Sequence, residues 1–156
     1  MIEVVNAAVE HLTGILKIGQ ELISQAWTYN MLLDELAKGD SVILAACRKE
    51  ATPRPHNPYV LGFAVFRQVG DDGEILQIAV DRAMQRCGIG DKLMDTITRN
   101  SREMNLNSIF LEVRKSNFAA IQLYEKHGFE EVRIRKDYYN DPVEDAAVMS
   151  KRVDIH

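Results

Sequence analysis

The chain changes its kind of connection at residue 80, and that change limits the folds open to it. Two apolar runs, YVLGFAVFRQV at 59–69 and EILQIAV at 74–80, flank the turn GDDG. A short Gly/Asp stretch between two such runs is a hairpin signal, so they pair antiparallel. After Val80 comes DRAMQRCGIG, and then Ile89, Leu93, Met94 and Ile97 recur at helical spacing, to about Met104. The next run, SIFLEVR at 108–114, alternates strictly, with Ile109, Leu111 and Val113 facing one way and Phe110, Glu112 and Arg114 the other. A hairpin followed by strand–helix–strand requires a mixed sheet with helices packed on it, an α/β (α+β) arrangement.

The flanking segments extend this order. IEVV at 2–5 reads as a first strand, with Asn6 as the cap of a helix running to about Ala26. Thr28 caps a second short helix, YNMLLDELAK, which Gly39 ends. SVILAACR at 41–48 is a buried strand, and KEATPRPHNP at 49–58 is a proline-rich insertion loop. SNFAAIQLYEKHG at 116–128 is a helix with Asn117 at its start, Lys126 and His127 in its last turn, and Gly128 stopping it. Strands FEEVRIRK at 129–136 and DAAVMSKRV at 145–153 close the chain, joined by the polar DYYNDPVE. No internal boundary is visible, and residues 1–156 read as one domain.

Bulk properties exclude more than they identify. A formal net charge of −4 argues against general nucleic-acid binding. Two cysteines, Cys47 and Cys87, give neither a disulfide framework nor a CxxC metal pair, and they suit a reducing cytoplasm. The start MIEVVNAAVEHLTG lacks the basic opening and apolar core of a signal peptide, and no apolar run is long enough to cross a bilayer.

Chemistry concentrates at three places. In QRCGIG, Gly88 and Gly90 stand where a strand hands over to a helix. The free N–H groups and partial positive charge of a helix start suit a phosphate there. The same glycines also suit a plain tight turn, and Asp91 cuts both ways, favouring the helix dipole but repelling a phosphate. Glu112 is a carboxylate in mid-strand, either ion-paired to a neighbouring cation or poised as a general base. Asn117 and Tyr124 share a helix face, and their structural readings are an N-cap and a core aromatic. Tyr138–Tyr139 fits loop packing more readily than a substrate wall; His127 reads as a helix-end charge and Trp27 as a core anchor.

Taken in order, QRCGIG, LEVRKSNFAAIQLYEKHGF and ILQIAV resemble the GNAT superfamily of N-acetyltransferases, whose (Q/R)xxGx(G/A) loop binds the pyrophosphate of coenzyme A. EVRKSNFAAIQLYEKHGF and RKDYYNDPVEDAAVM are similar, more specifically, to the ribosomal-protein alanine N-acetyltransferases of bacteria, over about residues 74–150. The resemblance implies a mostly antiparallel sheet of six to seven strands, helices on both faces, and a split between strands 4 and 5. It implies that Ile78, Ala79 and Val80 bind the pantetheine arm and that backbone amides of Arg86, Cys87, Gly88, Ile89, Gly90 and Asp91 cradle the pyrophosphate. It further implies that Asn117 binds the cofactor arm, with Glu112 as general base and Tyr124 as general acid. Three departures stand out: Asp91 in the phosphate loop, Arg82 in place of a proline, and the long insertion at 49–58.

The expected reaction is acetyl transfer from acetyl-CoA, with no metal, to the N-terminal α-amine of a protein, the alanine of a small-subunit ribosomal protein being favoured. A peptide α-amine, pKa about 7.7–8.0, is partly neutral near pH 7, whereas a lysine amine near 10.4 is almost wholly charged. The alternatives are a small-molecule amine or amino-acid N-acetyltransferase and a coenzyme-A-binding module without turnover. A cytoplasmic monomer, bound to neither nucleic acid nor membrane, completes the expectation.

Overall fold

The structure, a computed structural model, describes residues 1–23, 25–49 and 59–153. Its strands are β1 (Ile2–Asn6), β2 (Ser41–Arg48), β3 (Val60–Val69), β4 (Asp72–Val80), β5 (Ser108–Arg114), β6 (Glu130–Tyr139) and β7 (Glu144–Arg152). Its helices are α1 (Leu12–Leu22), α2 (Tyr29–Leu36), α3 (Ile89–Glu103) and α4 (Phe118–Lys126). One seven-stranded sheet runs β1-β2-β3-β4-β5-β7-β6. Every neighbouring pair is antiparallel except β4–β5. This is the mixed sheet that the hairpin and the later strand–helix–strand passage require.

Each face of the sheet carries its own core. Leu12, Ile15, Ile18 and Leu32 from α1 and α2 pack with Ile43, Phe63 and Val65 on one face. Ile89, Leu93, Met94 and Ile97 from α3 and Tyr124 from α4 pack with Leu44, Phe66, Leu111 and Val113 on the other. The alternation in SIFLEVR follows from this. Ile109, Leu111 and Val113 are buried under α3 and α4, while Phe110, Glu112 and Arg114 look out on the α1–α2 side.

Several boundaries differ from the sequence expectation. Asn6 is the last residue of β1, not a helix cap. The first turn is a 3-10 turn at Val9–His11, where the Ala8 N–H donates to Nδ1 of buried His11 at 2.9 Å. α1 stops at Leu22 rather than near Ala26, and α2 ends at Leu36, before Gly39. Thr28 does cap α2, accepting from the Met31 N–H at 3.2 Å. β6 runs on to Tyr139, so DYY belongs to a strand, with an irregular register between Arg135 and Tyr139. The proline-rich insertion lies outside the described residues apart from Lys49 and the strand approach.

Candidate active site

The sheet opens beside β4. β4 and β5 are paired only from Gly73–Ile75 to Ile109–Leu111. Beyond that the strands part, leaving Ile78, Ala79 and Val80 facing Val113 and Arg114 across a cleft of about 780 Å³. The Asp81 N–H donates to the Leu61 carbonyl at 2.8 Å, on the β3 side. Strand alternation therefore turns the backbone groups of Ile78 and Val80 toward the cleft. Gln85 Nε2 donates to the Val80 carbonyl at 3.3 Å and so ties the glycine loop to the strand end.

The loop closes one end of the cleft. Arg86 (φ 65°) and Gly88 (φ 80°) both take the left-handed conformation, which bends successive amides toward one side. Gly88 is the N-cap of α3, and the Lys92 N–H to Gly88 carbonyl bond at 3.1 Å begins the helical ladder. The amides before Lys92 are the helix's spare donors. A Cβ at Gly90 would stand 3.0 Å from Leu123 Cδ2, so a glycine there lets α3 seat against α4.

Of the twelve residues to which the family resemblance gives a role, ten line this cleft: Ile78, Ala79, Val80, Arg86, Gly88, Ile89, Gly90, Asp91, Asn117 and Tyr124. Cys87 is exposed and stands outside the lining, as does Glu112. Asn117 caps α4, its Oδ1 accepting from the Ala120 N–H at 3.2 Å. Tyr124 is 5% exposed and its ring leans on Phe129 with centroids 6.0 Å apart. Burial, and then the neighbouring Tyr139, push the Tyr124 hydroxyl well above the usual tyrosine pKa.

Glu112 projects from the opposite face of β5 to the one packed on Tyr124. Its carboxylate, 23% exposed, accepts from Arg135 Nη1 at 2.7 Å. Arg135 stacks over Tyr138 at 4.6 Å, and the neighbouring Glu112 carboxylate is the main influence raising the Tyr138 pKa. Tyr138 meets Tyr139 edge to face at 5.1 Å. Arg114 stacks on Tyr139 at 4.5 Å and donates to the carbonyls of Asn140 (2.9 Å) and Pro142 (3.0 Å), latching the β6–β7 turn. Burial, followed by the charge of Glu112, pushes the Tyr139 hydroxyl up to about 12. Tyr139 lines the cleft and Tyr138 does not, so one ring of the pair borders the cleft and the other packs against it from outside. An ion pair for Glu112 is among the sequence readings, but neither Arg135 as its partner nor the Arg114 latch can be picked out from the sequence. Both act across β7, the last strand in the chain, and only the strand order reveals them.

Asp91 also differs from its sequence reading. Its carboxylate accepts from His127 Nε2 at 2.7 Å and from Lys126 Nζ at 3.1 Å. The His127 hydrogen bond, aided by Lys126, holds the Asp91 pKa below the usual carboxylate value. The charge is thus engaged by α4 rather than left beside the loop.

The mixed sheet thus opens into a long cleft with a glycine turn and the spare amides of a helix start at one end. The chain belongs to the GNAT family of acetyltransferases, whose family model matches residues 17–129, and it is thereby an enzyme of the acyltransferase class. The [ribosomal protein bS18]-alanine N-acetyltransferase of Haemophilus influenzae is 40% identical over 97 residues, 60% of this chain and 66% of that protein. The match thus spans a little under two-thirds of that relative's length. An N-alpha-acetyltransferase of Saccharolobus solfataricus is 29% identical over 151 residues, 94% of this chain and 90% of the relative. The crystal structure of the Escherichia coli ribosomal-protein-S18-alanine N-acetyltransferase superposes with a TM-score of 0.84 at 27% identity, covering 100% of this chain and 96% of that one. Among the described residues, no helix is long and apolar enough to cross a membrane.

Proposed function

We propose that this protein moves acetyl from acetyl-CoA to the N-terminal α-amine of a protein, with the N-terminal alanine of a small-subunit ribosomal protein as acceptor. The 40% identity to bS18-alanine N-acetyltransferases carries the choice of acceptor. The donor fits on chemical grounds. The cleft offers outward-turned backbone of Ile78 and Val80 for an amide-bearing arm and spare helix-start amides at Gly88–Asp91 for phosphates.

This chain's residues divide the work by face. Glu112, held by Arg135, takes a proton from the α-amine through a water. An N–H of Ile78 or Val80 steadies negative charge on the acyl oxygen. Tyr124, on the other face, donates a hydrogen bond to the departing sulfur. The split sheet is what allows one substrate to be approached from both faces at once. Asn117 and the loop amides hold the donor's arm and phosphates.

The test is mass spectrometry of a peptide that begins Ala-Arg and contains one lysine, incubated with the protein and acetyl-CoA. A single acetyl on the α-amine, absent from an N-terminally blocked control, is the expected result. No peptide acetylation, with thiol released when small amines are supplied, replaces this reading by a small-molecule acetyltransferase.

A further inference from the structure

Asp91 is the third residue of α3 after its cap, Gly88. A carboxylate at this position can swing back and accept from the amides at the start of its own helix, as the acidic member of a capping box does. Those amides are the donors that the proposed reading assigns to the phosphates of acetyl-CoA. Asp91 is therefore a built-in competitor for the same donors, close enough to occupy them and of the same charge as the ligand.

The structure holds that competitor away. His127, with its side chain only 12% exposed, stands at the C-terminal end of α4 between two carboxylates one turn apart on α3. Its Nε2 lies 2.7 Å from Asp91 Oδ1, and Nδ1 lies 3.6 Å from Asp95 Oδ1. An ionised carboxylate only accepts, so Nε2 carries the proton and donates to Asp91. Lys126 Nζ holds the other oxygen, Oδ2, at 3.1 Å. Both oxygens are thus engaged by α4, and among the described residues no hydrogen bond joins the carboxylate to the loop amides. The close seat of Gly90 on Leu123 brings the two helices near enough for this contact.

We propose that His127 is a positioning residue for donor binding: it latches the Asp91 carboxylate to α4 and so keeps the amides at the start of α3 free for the phosphates of acetyl-CoA. The inference rests on the proposed acetyl-CoA-dependent reading. Lys126 neutralises the same carboxylate, but it lines the cleft and would also meet a bound anion directly, so His127 is the cleaner probe.

The experiment measures KM and kcat for acetyl-CoA, and for acetyl-pantetheine, a donor without the phosphates. It compares wild type, His127→Ala, Asp91→Ala and the double variant. His127→Ala is expected to raise KM for acetyl-CoA about fivefold to tenfold with little change in kcat, and to leave acetyl-pantetheine kinetics unaltered. The double variant is expected to return to the KM of Asp91→Ala alone, because a latch without its bolt has no effect. Equal losses with both donors, or a double variant as impaired as His127→Ala, assign His127 to helix packing and overturn the proposal. A wild-type protein that neither binds acetyl-CoA by calorimetry nor turns it over removes the acetyl-CoA reading itself, an outcome separate from any difference among variants.

Discussion

Replacing Tyr124 with phenylalanine removes a single hydroxyl from the cleft wall and leaves the ring against Phe129. Folding stability should change by no more than about 1 kcal/mol, the worth of one ordinary hydrogen bond. The catalytic cost follows from the site's environment. An ordinary tyrosine, pKa about 10, is already a weaker acid than a thiol near 8.5, so full proton transfer to a thiolate is uphill by about 2 kcal/mol. Burial moves the Tyr124 hydroxyl further in the same direction. On the proposed mechanism its contribution is then a hydrogen bond to sulfur as charge develops there, and hydrogen bonds to charged groups are worth about 1.5–3 kcal/mol. That range corresponds to a loss in kcat of about 10- to 150-fold. Thiol release at saturating acetyl-CoA measures it, alongside the dissociation constant of coenzyme A, which should hold steady. A hydroxyl with a raised pKa keeps its proton to higher pH, so kcat should show no falling limb from Tyr124 up to pH 10. A variant within twofold of wild-type kcat would take the hydroxyl out of the chemistry. A loss of turnover matched by a loss of coenzyme A affinity would make Tyr124 a packing residue.

Glu112→Gln should lower kcat/KM by about 100-fold, within the usual span for a general base. The loss should be worst at low pH, where the α-amine is mostly charged, and a pH-independent loss would identify a positioning role. Gly88→Ala forces a side chain into φ 80° and should cost about 1 kcal/mol of stability while raising KM for acetyl-CoA; urea unfolding and steady-state kinetics check the two effects. Glu35, 2% exposed, is held by Arg67 (2.6 and 2.7 Å), Ser41 (2.8 Å) and Lys38 (3.1 Å). Burial raises its pKa, but the bonds from Arg67, Ser41 and Lys38 together outweigh this and leave it lowered. A depressed folded-state pKa means stability that is present above the unfolded carboxylate value, near 4.3, and is lost as pH falls through the folded value. Glu35→Ala should therefore cost about 3 kcal/mol at pH 7 by urea unfolding and progressively less in acid, and an equal cost at pH 7 and pH 3 would contradict the ion-pair account.

Whatever was local could be seen in the sequence. The alternation in SIFLEVR, the helical spacing of Ile89, Leu93, Met94 and Ile97, the Thr28 cap and the Gly88 turn each depend on residues a few positions apart, and each is where its pattern puts it. The structure departs from local preference where neighbours in space override it. Asn6 has the chemistry of a cap, but it pairs with Leu44 in the β1–β2 ladder instead. DYY is polar and precedes a proline, yet pairing with β7 draws Tyr139 into a strand opposite Glu144.

The candidate site divides along the same line. QRCGIG and the Asn117–Tyr124 face are contiguous, so their chemistry can be weighed from the sequence. The setting of Glu112 cannot. Its partner Arg135 is 23 residues away on a strand that is not its neighbour, because β7 inserts between β5 and β6. β7 sets Val148 opposite Glu112 and the small Ala146 opposite Arg135, so the two long side chains meet on the diagonal across β7. The sequence offered two readings of Glu112, an ion-paired carboxylate and a general base, as if they excluded each other. The geometry makes them compatible. Arg135 stacks on Tyr138 and grips one oxygen, Oε1, and a carboxylate has lone pairs for several partners. A carboxylate fixed in this way can still accept from a water, so on the proposed mechanism the ion pair would orient the base rather than silence it.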